Sequence, residues 1–321
     1  MLFENQILGA FRKNFLRRCD DTGTAFYFSA ADFPGLVSEP FSFPSSKGHT
    51  LSGSFYHYDN PIPGRIVVFD HGFGGGHRSY MKEIEMLARH GYLVFAYDHT
   101  GCMESGGETI LGFSQSLCDL NDCLTALKNT DRCRNLSISV MGHSWGGFST
   151  LNIAALHPDI THVVVLSGFV SVELLVNSFF AGLLSPYRKS VLNMEIAANP
   201  DFVNYNAVTT LSATNAKVLL VYSENDALVK KKIHFDALHN GLAGKDNIRF
   251  LLVPNKGHNP NYTEEAVAYL AQYSSAVGKK LKKKELETAE QKALFLASFD
   301  WDRMTEQDVV VWAKIFQTLD T

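Results

Sequence analysis

Ser144 sits in Gly142-His143-Ser144-Trp145-Gly146-Gly147, the stretch whose spacing points most directly to chemistry. Leu136 to Met141 alternates apolar and polar residues before it, as a short strand does. Phe148 to Leu156 follows as a small, apolar run that Pro158 stops, which reads as a buried helix. The serine therefore falls on a sharp strand-to-helix turn, where Gly142 and Gly146 let neighbouring backbones pass too close for a Cβ. Such a turn lifts the hydroxyl out of the sheet and aims the first helical N–H groups at whatever it attacks. A serine hydroxyl is a weak nucleophile at neutral pH and needs a base, itself oriented by a third group. In this kind of sheet the partners follow later strands, acid before histidine. Ser223-Glu224-Asn225-Asp226 and Asn255-Lys256-Gly257-His258 each come just after a strand pattern. His258 is the expected general base and acid, and Asp226 the group that orients it, with Glu224 as the alternative acid. A third stretch, His71-Gly72-Phe73-Gly74-Gly75-Gly76, suits backbone donors for a developing oxyanion. The Phe73 and Trp145 N–H groups are the expected pair, and His71 is read as a hydrogen-bonding pin for that loop. The glycines lack the Lys-Ser/Thr ending or the register of a nucleotide loop, and His71, His77 and Asp98 have no metal-ligand spacing.

The surrounding pattern supplies elements to hold these groups. Residues 41–43 and 51–56 flank Pro44 to Gly48 as an antiparallel hairpin. Strand patterns then recur at 65–69, 92–97, 136–141, 161–166, 217–222 and 248–253, with helical patterns at 79–90 and 113–128 between them. That alternation predicts an α/β fold with a largely parallel sheet covered on both faces. Residues 169–216 interrupt the rhythm with an aromatic and aliphatic insertion that leaves from the strand ends where an open sheet binds its ligand. A lid is expected there, with Phe179, Phe180 and Leu183 as substrate contacts. Leu2 to Arg18 reads as an amphipathic helix with Phe3, Ile7, Leu8, Phe11 and Phe15 on one stripe. Near the other end, Thr263 to Leu281 reads as a helix. A final helix is expected to open on Thr305-Glu306-Gln307-Asp308 and to bury Val309, Trp312, Ala313 and Phe316.

Composition narrows the partners. Over 321 residues the chain is 45% hydrophobic and 19% charged, ordinary for a globular protein with a sizeable core. A net charge of −4 offers no general attraction to nucleic acid or anionic membrane. The lysine run 279–284 is balanced by Glu285, Glu287 and Glu290 and reads as a solvated helix face. The longest apolar stretch, 169–184, holds Glu173 and Asn177 and is too short and too polar to span a bilayer. Five cysteines, without a Cys-x-x-Cys pair, and no signal-peptide pattern lead to the expectation of a reduced, cytoplasmic protein.

The quoted motifs, with Tyr97-Asp98-His99-Thr100-Gly101, resemble the α/β-hydrolase-fold serine hydrolases, in particular bacterial esterases and acyl-hydrolases. The resemblance covers about residues 41–278. It implies one domain with a lid at 169–216, flanked by extensions at 1–40 and 279–321 about which it says nothing. Met103 stands where the family's Asp-x-x-Gly-x-Gly turn has its second glycine, and Cys102 beside it reads as a small pocket-edge residue. The implied activity is hydrolysis of small to medium apolar or aromatic carboxylic esters through an acyl-enzyme on Ser144, with no cofactor and no metal. Acyl transfer, thioester or peptide cleavage would use the same residues, and a silent binding scaffold is the alternative from another class.

Overall fold

A computed structural model describes residues 3–321. Eight strands form one sheet: β1 (Val37–Pro44), β2 (Thr50–His57), β3 (Arg65–Asp70), β4 (Leu93–Tyr97), β5 (Ser137–His143), β6 (His162–Leu166), β7 (Lys217–Ser223) and β8 (Ile248–Val253). Their order across the sheet is β1-β2-β4-β3-β5-β6-β7-β8. The hairpin pairs antiparallel and joins β4 antiparallel; every later pairing is parallel. The α/β architecture read from the strand–helix rhythm is the one observed. β5 runs two residues past the sequence reading, which carries the strand up to Ser144.

Twelve α-helices lie among the described residues: α1 (Glu4–Phe11), α2 (Met81–Arg89), α3 (Gln115–Lys128), α4 (Ser144–Asn152), α5 (Val172–Phe179), α6 (Arg188–Ala198), α7 (Ala207–Ala213), α8 (Phe235–Gly241), α9 (Glu264–Lys282), α10 (Ala289–Leu296), α11 (Trp301–Met304) and α12 (Val309–Leu319). None of them is long and apolar enough to cross a membrane. Alternation along the strands divides the core. Val68, Val140 and Val163 bury on the face covered by α3, α4 and residues 169–216. Val67, Phe69, Met141 and Val164 bury on the other face, beneath Met81, Ile84 and Leu87 of α2 and Trp312 and Ile315 of α12.

Two helical expectations need correction. The N-terminal helix ends at Phe11 and widens into a looser turn over Arg12–Leu16, and Arg17 is already extended; Leu2 lies outside the described residues. The remaining strap crosses the loop after β4, where the Arg18 guanidinium donates to the carbonyls of Ser105 (2.8 Å), Gly107 (2.7 Å) and Met103. Those long-range bonds outcompete the local helix pattern that the stripe of phenylalanines implied.

The last helix is capped by Asp308, whose carboxylate accepts from the Val310 and Val311 amides at 2.8 and 3.3 Å, not by Thr305. The buried face shifts accordingly to Val311, Trp312, Ile315 and Leu319, leaving Ala313 exposed and Val309 73% exposed. Asp308 also pairs with Lys256 at 2.5 Å, so its position answers to the His258 loop as well as to the helix. Trp312→Ala is expected to lower stability by about 3–5 kcal/mol in chemical denaturation, whereas Val309→Ser changes it by less than about 0.5 kcal/mol. Equal effects at the two positions would contradict this register.

Candidate functional site

Ser144 adopts φ +56°, a left-handed conformation that serine rarely takes, at the junction of β5 and α4. The turn closes only because its neighbours lack side chains. A Cβ on Gly146 would meet the carbonyls of Asp70 and His71, and one on Gly142 would meet the Gly146 backbone and Thr150.

His258 lies on the loop after β8, past Gly257 at φ +54°. Its Nε2 is 2.8 Å from the Ser144 hydroxyl, and its Nδ1–H donates to Asp226 at 2.7 Å. The other Asp226 oxygen accepts from the Leu228 and Val229 amides at 2.8 and 3.0 Å, so the carboxylate has no freedom to turn away. Glu224, the alternative acid, is exposed and takes no part in this arrangement. Asn225 binds the two loops together: its side-chain oxygen accepts from the Gly257 amide (2.9 Å) and the Ser223 hydroxyl (2.8 Å).

Sequence reading missed two further groups. The His143 Nε2–H donates to the His258 carbonyl at 2.7 Å, and the Tyr80 hydroxyl donates to His143 Nδ1 at 2.8 Å. The Tyr80 oxygen accepts in turn from the Gly72 amide at 3.1 Å. This chain ties the histidine loop, the serine turn and the glycine-rich loop to one another. Burial holds the His143 imidazole down at about 3, so it remains neutral and keeps one donor and one acceptor. Placing His143 next to the serine gave a signal; nothing local marks Tyr80.

His71 accepts from the His99 amide at 3.0 Å and its other nitrogen faces the Gly72 carbonyl at 2.7 Å, pinning the glycine loop. His77 is engaged elsewhere, donating to Asp98 at 2.7 Å, so His71, His77 and Asp98 do not converge on one point. His99 lies between Asp70 at 3.0 Å and Asp119 at 3.3 Å, with its ring 4.6 Å from that of Trp145. Burial opposes its charge, but the two carboxylates prevail and raise it to about 9. Met103 takes φ +41°, keeping the left-handed turn that a glycine would otherwise supply, and Arg18 clamps its carbonyl.

Phenylalanine rings surround the approach to Trp145. Phe73, 37% exposed, lies 5.9 Å from it and 6.3 Å from Phe113. From the insertion, Phe179 lies 6.4 Å from Phe113, and Phe180 packs 5.8 Å from Phe11 of α1. Leu183, the third expected contact, is 96% exposed and outside this cluster; it sits on a six-residue 3₁₀ segment, Gly182–Tyr187, between α5 and α6. The N-terminal strap adds Phe15, 6.3 Å from Phe73, 5.9 Å from Phe113 and 5.7 Å from Phe179.

These elements define an α/β hydrolase. The chain belongs to the family described as serine aminopeptidase, S33, matching its profile over residues 61–252. It is similar to YqkD, an uncharacterised protein of Bacillus subtilis (strain 168), at 29% identity over 164 residues, 49% of this chain and 50% of that one. It is also similar to the putative carbamate hydrolase RutD of Serratia proteamaculans (strain 568), 29% identical over 36% of this chain and 41% of that one. A third relative is cutinase est1 of Thermobifida alba, 27% identical over 40% and 46% of the two chains. The chain spans about half the length of the curated relatives it matches. Among solved structures, the esterase Pf2001 of Pyrococcus furiosus shares the fold with a TM-score of 0.58 and 18% identity, covering 83% of this chain and 98% of that one.

The insertion is fastened to this frame by Glu195 of α6, whose buried carboxylate accepts from the Phe113 amide at 2.8 Å, just ahead of α3. Burial pushes this carboxyl up from 4.5 to about 7. Between those values the folded protein holds a proton that the unfolded chain has released. Stability therefore falls as pH rises through this window, by up to about 3 kcal/mol from this group. Glu195→Gln is expected to flatten that part of the stability–pH curve; parallel curves for the two proteins would contradict it.

Proposed function

We propose that the protein hydrolyses carboxylic esters of small to medium apolar acyl or aromatic groups through an acyl-enzyme on Ser144. The observation that carries this reading is the continuous contact from Asp226 through His258 to the Ser144 hydroxyl. In the first step the imidazole takes the hydroxyl proton as Oγ attacks the carbonyl carbon, and the resulting imidazolium faces Asp226. The proton then passes to the departing alcohol. Water repeats the sequence, giving its proton to His258 and its oxygen to the acyl group, and Ser144 is released. The oxyanion formed in each half is assigned to the backbone N–H groups of Phe73 and Trp145, each worth about 2.7–4 kcal/mol of barrier in comparable sites. Trp145 suits this role because it stands in the first turn of α4, where amides lack partners within the helix.

The rings of Phe73, Phe113 and Phe179 support an apolar acyl group, and residues 169–216 are assigned as a lid over it. Relatives named cutinase and esterase agree with ester chemistry. Ser144→Ala is expected to leave less than about 1% of the turnover of a short-chain p-nitrophenyl ester with the fold intact by circular dichroism. Asp226→Asn is expected to lower kcat by roughly 10²–10⁴. Turnover retained by Ser144→Ala removes the serine from the mechanism, and cleavage of aminoacyl anilides in preference to esters replaces the substrate class by peptides.

A further inference from the structure

The N-terminal strap brings together two cysteines that lie far apart in the chain. The Cys19 amide donates to the Gly101 carbonyl at 2.8 Å, and the Met103 amide donates to the Cys19 carbonyl at 3.0 Å. These bonds place Cys19 opposite Cys102 as neighbours in a short parallel pairing. Adjacent strands lie about 4.8 Å apart, within the Cα separation a disulfide spans. The Cys102 thiol and the Gly74 amide of the glycine-rich loop favour negative charge on the Cys19 sulfur. Together they hold the Cys19 thiol below its ordinary value although burial works the other way. The Cys19 thiol and then burial raise Cys102, burial and nearby carboxylates raise Cys118 and Cys123, and burial raises Cys133. Cys19 retains 9% of its surface, whereas Cys102 is sealed beneath it.

We propose that Cys19 and Cys102 form a redox site, in which hydrogen peroxide closes a disulfide that fastens the strap carrying Phe15 against the loops beside Ser144. The Cys19 thiolate attacks one peroxide oxygen; a sulfur–oxygen bond forms, the oxygen–oxygen bond breaks, and the departing hydroxide takes a proton to become water. The Cys102 sulfur then attacks the sulfenic sulfur. A sulfur–sulfur bond forms, the sulfur–oxygen bond breaks, and the second hydroxide leaves as water with the Cys102 proton. Two thiols lose two electrons in all, and the peroxide gains them.

The consequence for turnover follows from what the strap carries. Phe15 touches Phe73, Phe113 and Phe179 together, so a long acyl chain entering between those rings must displace it. A disulfide four residues along prevents that movement, while a short acyl group leaves the strap in place. The gating half of this proposal rests on the ester-hydrolase reading of Ser144; the redox half does not.

The test uses the full chain, first reduced and then treated with hydrogen peroxide. Denaturation, alkylation and peptide mass spectrometry are expected to find two fewer reactive thiols among the five cysteines. A Cys19–Cys102 peptide lighter by two hydrogens should account for them, and dithiothreitol should reverse the change. In the oxidised protein kcat/KM for a long-acyl p-nitrophenyl ester should fall roughly threefold or more relative to a short-acyl ester. Reduction should restore that ratio, and Cys19→Ser should be insensitive to peroxide. Five reactive thiols after peroxide, or a disulfide joining other cysteines, overturns the redox site. A mapped Cys19–Cys102 disulfide with an unchanged ester ratio overturns the gating. Failure of the reduced protein to cleave either ester condemns the hydrolase reading instead, and the peptide map still decides the redox site.

Discussion

The left-handed backbone of Ser144 is the constraint on which the rest of this structure depends. A serine at φ +56° is uphill for the isolated chain, and it is held by a sheet and a helix that meet without side chains between them. Gly146 lies against the carbonyls of Asp70 and His71, which puts the serine turn in contact with the end of β3. Gly147 packs on Gly168 at the end of β6, closing the other side. The turn is thus wedged between its two neighbouring strands, and α4 begins at the serine itself.

Around that turn the loops are cross-braced rather than independently placed. Tyr80 and His143 connect Gly72, the serine turn and the His258 carbonyl through three hydrogen bonds. Lys256, two residues before His258, is buried and donates to the Tyr262 carbonyl and to Asp308, both at 2.5 Å. The segment beyond α9 therefore reaches back to the histidine loop, through the residue that also caps α12. A loop histidine gains a defined position in this way without being part of a regular element. The braces run between main-chain groups and buried side chains, where a hydrogen bond is not weakened by competing water.

The N-terminal residues behave as a strap across one edge of the site. Arg18 satisfies three carbonyls of the loop after β4, Phe15 adds its ring to Phe73 of the glycine loop and Phe179 of the insertion, and Phe11 packs on Phe180. Segments from opposite parts of the chain thus share one aromatic cluster, and its shape depends on all of them.

Local pattern alone determined the order of strands and helices, the serine turn and the residues after β7 and β8, because period, glycine placement and strand ends are properties of neighbouring residues. It also set His258 beside Gly257 and Asp226 beside Asn225, where chain order leaves few candidates. Tertiary structure decided what depends on distant partners. It turned the Asp226 carboxylate toward His258 and left Glu224 exposed; it ended the first helix at Phe11 because Arg18 had carbonyls to satisfy elsewhere. The last helix took its register from Asp308, held by Lys256, and Leu183 was left in water while Phe15 joined the rings. Cys19 met Cys102 only through the strap's path, since no sequence period relates residues from separate segments; packing and long-range hydrogen bonds bring them together.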